Sequence, residues 1–115
     1  MRLPSTVLLV TCAVACGGAS LPPAKVADTQ ASISAAAAVG AEQHPQAALH
    51  LKMARDQLRQ AQGLVEDGKD KQARLVLERA QADADLAMIA TREAQASANL
   101  QKARSEVEGL QTGNQ

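Results

Sequence analysis

From residue 45 onward, apolar positions recur with the spacing of a helix. Ala47, Leu51, Ala54, Leu58, Ala61 and Val65 follow one another at steps of four, three, four, three and four, so all six share one helical face. Pro45 suits the first turn, where its missing N–H costs nothing. Asp67-Gly68 marks the stop, because Gly68 can take the left-handed conformation just past a helix end. A second run opens near Asp70, a residue suited to an N-cap, and continues without a breaker to Leu110. It carries two stripes. Ala73, Leu77, Ala80, Ala84 and Ala87 form the first; Ala82, Leu86, Ile89, Ala96, Leu100, Ala103, Val107 and Leu110 form the second. The second keeps a near-heptad spacing interrupted by Glu93, the pattern of a coiled-coil-like seam. The segment from Val26 to Val39 is weaker, with Ile33, Ala37 and Gly40 on one side.

These elements predict an all-α fold. Residues 27–67 and 70–110 form arms of equal length, so a kinked first arm can lie antiparallel along one straight arm of about 60 Å. In that long hairpin Leu58 lies near Arg79 and Ala80, Leu51 near Leu86, and Ala37 near Leu100. The alternative folds the first segment back into a compact three-helix bundle. The hairpin is the preferred expectation, because otherwise the far half of the long helix carries an apolar stripe with nothing to cover it.

The chain's start has a different character. Residues 1–15 read as a secretory leader, with Arg2, the apolar run Val7-Leu8-Leu9-Val10, then small residues. The run is too short to span a bilayer, which needs about 20 apolar residues. Ala13-Val14-Ala15-Cys16-Gly17 resembles the lipobox of bacterial lipoproteins, which implies cleavage between Ala15 and Cys16 and a lipid on Cys16. Ala13, where leucine is usual, departs from the pattern. Gly17, where an aspartate would favour inner-membrane retention, points to the outer membrane. Cys12 follows Thr11, a poor cleavage residue, and is expected to leave with the leader, so no disulfide is expected. Residues 16–25, with Gly17-Gly18 and Pro22-Pro23, have the composition of a linker. Residues 26–110 are the expected helical domain and 111–115 a disordered tail.

Composition narrows the function classes. The chain contains no Phe, Tyr or Trp, which removes the usual platforms for stacking bases, caging cations and anchoring interfaces. Between Cys16 and Gln115 there are 23 alanines against 19 Leu, Val, Ile and Met. Such a core fits closely spaced helices, and it is small enough that self-association or a protein partner is expected to contribute. Formal net charge is zero, whereas a nucleic-acid binder carries a basic excess, so that partner is disfavoured.

No constellation of residues calls for catalysis. His44 and His50 are six apart, whereas two histidines sharing a metal on one helix face need a separation of three or four; a surface or capping role is expected, with His44 opening the helix at Pro45. Asp83 and Asp85 point to different faces and do not form a paired acid and base. Asp83 stands four residues after Arg79 and, in hairpin register, near Arg55, which suits an ion pair worth up to ~1 kcal/mol. The sharper reading makes Arg55, Arg79 and Asp83 a partner-recognition patch. Ser and Thr lack a neighbouring His for activation. No cofactor and no metal are expected. Ala35 to Ala38 reads as a spacer or as a close-packing surface for another helix.

His44-Pro45-Gln46-Ala47-Ala48 through Leu58, then Gly68 through Ala73, then Leu77-Glu78-Arg79-Ala80-Gln81-Ala82-Asp83-Ala84-Asp85-Leu86-Ala87, are similar to the bacterial envelope family designated domain of unknown function 4398. The resemblance covers residues 26–95, with the lipobox as a common companion. It implies a helical fold and brings no activity with it. The same helix-turn-helix pattern also looks like one tetratricopeptide unit, with small residues at Ala48, Ala54, Gly68, Ala73 and Ala80, but no second copy is present. The expected protein is therefore a lipid-anchored helical interaction or spacer module of the cell envelope, facing the periplasm and without enzymatic activity. A periplasmic ligand-binding or cell-wall-binding module is the alternative. A membrane-active amphipathic module is weakened by small apolar residues and a neutral face.

Overall fold

A computed structural model describes residues 21–113, and they are helical almost throughout. Three helices follow in order: α1 (Pro23–Ala38), α2 (Pro45–Glu66) and α3 (Asp70–Thr112), with a single 3-10 turn at Ala41–Gln43 between the first two. The leader, the lipobox with Ala15 and Cys16, and the last two residues lie outside the described span, whereas Gln111 and Thr112, expected in a disordered tail, continue α3.

Local sequence sets the boundaries. Pro23 and Pro45 both stand at the first helical position, where the fixed φ of proline favours the start of a helix. Three residues expected in the linker, 23–25, therefore belong to α1. Lys69, not Asp70, is the N-cap of α3, and Asp70 places its carboxylate in the first turn, where it meets the positive end of the helix dipole. Two glycines with positive φ close the other helices: Gly40 at 92° after α1, and Gly68 at 71° after α2. Around Gly68, the Lys69 amide donates to the Leu64 carbonyl at 2.8 Å and the Gly68 amide to the Val65 carbonyl at 3.0 Å. This pair of bonds is the Schellman closure, and it satisfies carbonyls that a helix end otherwise leaves bare.

The all-α expectation holds, and α2 lies antiparallel against α3 over the face carrying the first stripe. Between the two arrangements considered for the first segment, the molecule adopts the folded-back bundle. α1 runs antiparallel to α2 and parallel to α3: Leu21 and Val26 border the same cleft as Gln62 and Val65, Gln81 donates to the Ser32 hydroxyl at 2.8 Å, and Gln95 donates to the Val39 carbonyl at 3.1 Å. Ala37 accordingly does not reach Leu100. The physical reason is Gly40, which sits at the break and not on the continuing face. Its left-handed backbone ends α1 and reverses the chain within six residues.

The core is built from small side chains. Nine alanines have no exposed surface, among them Ala36 of α1, Ala54 and Ala61 of α2, and Ala80, Ala84 and Ala87 of α3. Ile33, Leu51, Leu58 and Leu77 supply the larger volume. Alanine at the crossing points lets the helix axes approach toward the short end of the roughly 8–10 Å range. The two buried threonines are satisfied within their own helices: Thr29 donates to the Lys25 carbonyl at 3.0 Å and Thr91 to the Ala87 carbonyl at 2.7 Å. Thr91 is also the last buried residue of α3.

Candidate functional site

Beyond Thr91 the long helix sheds its neighbours, apart from a half-buried Ala94 and the bond from Gln95 to the Val39 carbonyl. Every residue from Gln95 to Gly113 is exposed, so about 30 Å of α3 projects past the bundle at 1.5 Å per residue. The second stripe lies on this projection and runs back along the outer side of the bundled half. Leu86, Ile89, Leu100, Val107 and Leu110 are all roughly half or more exposed, with Leu110 at 74%. Around the helix these positions lie opposite Ala73, Leu77, Ala80, Ala84, Ala87 and Thr91, which face α1 and α2. α3 thus carries one apolar face that is used and a second, on its far side, that is not.

Asp83 is the one buried charged residue among those described, at 8% exposure. Its carboxylate reaches across to α2: Oδ1 lies 2.9 Å from His50 Nδ1, and Oδ2 accepts from Gln57 Nε2 at 2.8 Å. A carboxylate can only accept, so the His50 proton on this side belongs on Nδ1. Gln57 Oε1 is buried without a partner. Turning the amide over would set that oxygen against the carboxylate, so the orphan is the lesser cost. The three groups form a polar clamp between α2 and α3, and the third member is an amide where a hydrolytic triad would need a nucleophile.

The residues singled out as a recognition patch are not gathered together. Arg55 donates to Glu42 at 2.8 Å, Arg79 is exposed on the outer side of α3, and Asp83 is turned inward to His50 and Gln57. His50, expected on the surface, is half-buried because residue 51 is at the heart of the core and 50 flanks it. His44 does occupy the N-cap of α2, without a side-chain capping bond. The clamp had a signal in the sequence: pairing Leu51 with Leu86 sets Asp83 level with Ala54, one helical turn from both His50 and Gln57. Gln57 carries no signal of its own, because glutamine is a common surface residue of helices.

A cleft of about 320 Å³ lies between α1 and α3, with Lys25, Asp28, Arg74 and Glu78 around Leu77. Its opposite charges are interspersed, which gives it no pull toward a ligand of either sign. Among the described residues no three His, Cys, Asp or Glu side chains converge as a metal site, and no helix is long and apolar enough to cross a membrane.

No curated protein and no solved structure matches this chain. A family model does, over residues 24–110, which takes in all three helices and the projecting end of α3 almost to its tip. The chain belongs to the family described as domain of unknown function (DUF4398).

Proposed function

We propose that this chain is a lipid-anchored protein of the bacterial cell envelope, joined through Cys16 to the outer membrane and facing the periplasm, which works as a helical interaction module without catalysing a reaction. The observation that carries the reading is the uncovered ridge on α3. A helix that runs on past its bundle with an exposed row of Leu, Ile, Val and Ala on one side, broken by Glu93, offers a binding surface, whereas a helix serving only as a spacer has no use for one. The lipobox-like run ending at Cys16 supports the anchor, and the short Gly- and Pro-containing stretch before α1 supports a body held off the lipid surface. The Asp83 clamp supports a structural role for the polar residues.

Two measurements in the native host test this reading. Radiolabelled palmitate should mark the protein and should fail to mark a Cys16→Ala variant, which should also leave the membrane fraction. A photo-crosslinking residue in place of Leu100 should yield a discrete protein adduct, while one in place of Glu66, on the bundle side, should not. Unlabelled protein in the cytosol would sink the anchor, and no adduct from Leu100 would sink the module.

A further inference from the structure

We propose that the ridge on α3 is a self-complementary seam, and that its occupant is a second copy of this chain bound as an antiparallel coiled coil centred at about the level of Ala98. The inference rests on the interaction-module reading and names its partner. Positions 86, 89, 93, 96, 100, 103, 107 and 110 follow at alternating steps of three and four. That average of 3.5 is the period at which two helices keep one seam in contact as they supercoil. Only Glu93 is charged.

The charges around the seam select the direction of pairing. In the antiparallel register, Leu86 packs against the partner's Leu110, Ile89 against the partner's Val107, Ala96 against the partner's Leu100, and Glu93 against the partner's Ala103. Arg92 on the flank then faces the partner's Glu106, and twofold symmetry makes this ion pair twice. Glu93 lies beside the partner's Arg104, so the seam's polar interruption is also answered. The parallel register does the opposite. It sets Glu93 against its own copy inside the seam, and its flanking positions pair Arg92 with Ser97, Asn99 with Arg104 and Glu106 with Gln111, none of them an ion pair. Arg92, Glu93, Arg104 and Glu106 are all exposed in the single chain. The fold leaves room for the partner, because α1 and α2 cover the opposite side of α3, and none of them extends along residues 95–113.

The test is a charge exchange between two variants of the full chain, each also carrying Cys16→Ala so that lipid does not contribute to mass. Sedimentation equilibrium should show a reversible dimer for the parent. Arg92→Glu alone and Glu106→Arg alone should each weaken it by roughly ten- to thirtyfold, since two attractive pairs become two repulsive ones. An equimolar mixture of the two variants should restore the parent's affinity, because every ion pair is remade in the heterodimer. Both side chains lie outside the core, and unchanged helicity by circular dichroism checks that each variant folds. A parent that is monomeric at all concentrations, a dimer indifferent to both variants, or a mixture that fails to recover would each overturn the proposal. A monomeric parent that nonetheless gives adducts with other proteins from Leu100 would leave the module reading standing. Failure of palmitate labelling would overturn the anchor without touching the pairing.

Discussion

Asp83 shows how a residue's role follows from where the fold turns it. A carboxylate in the interface between two helices is tolerable only when its lone pairs are met. Here a histidine and a glutamine seven residues apart on α2 meet them from either side. Removing the acceptor strands two donors, so Asp83→Ala should lower unfolding stability by about 1–3 kcal/mol in urea titration. The ridge, by contrast, should keep its binding, because Asp83 faces away from it. Had Asp83 belonged to a recognition patch, the variant would fold normally and bind less. Among single residues, the core positions Leu51, Leu58, Leu77 and Ala80 were legible in the sequence, since burial follows periodicity. The clamp could be reached only through the register between two helices, because composition carries no register.

At the scale of the elements, the fold is set by its two left-handed glycines. Gly68 could be read from the sequence because it directly ends a strong amphipathic run. Gly40 reads as part of a face, because α1 has a weak pattern and its glycine falls in phase with Ile33 and Ala37. That one assignment decided between an extended hairpin arm and a folded-back helix. A contrast between glycines tests the account. A Cβ at either Gly63 or Gly68 would meet nothing within 4 Å, but only Gly68 has positive φ. Gly68→Ala should therefore cost about 1–2 kcal/mol through backbone strain alone. Gly63→Ala, inside α2, should stabilise by about 0.4–1 kcal/mol, since alanine has less freedom to lose on folding. Thermal melts of the two variants should move in opposite directions.

The described residues form a bundle with an overhang. The expectation that the first segment would cover the far half of α3 rested on a sound premise, that an apolar stripe needs a cover. It failed because the cover does not come from the same chain's α1, whose 16 residues run alongside the other half. The two parts should differ in how firmly they hold their backbone. In dilute protein, hydrogen exchange of the amides in 95–112 should be much faster than in 73–91, where closely packed alanines protect the helix. Raising the concentration should slow exchange in the overhang and leave the bundle unchanged. Uniform protection along α3 at every concentration would contradict both halves of this description.

Because α1 folds back, the chain enters the body beside the Gly68 turn, at the end of the molecule opposite the overhang. A lipid on Cys16, as proposed, would therefore hold the blunt end and leave the tip of α3 as the farthest described point, about 65 Å away along the helix axis. Two molecules joined tip over tip in the register described carry their entry points at opposite extremes, about 85 Å apart. Neighbours standing upright in one leaflet could not meet in this way. Copies rooted in one surface would have to lie along it to pair, and each joined pair would then hold its two roots that far apart, setting a spacing in the plane of the membrane.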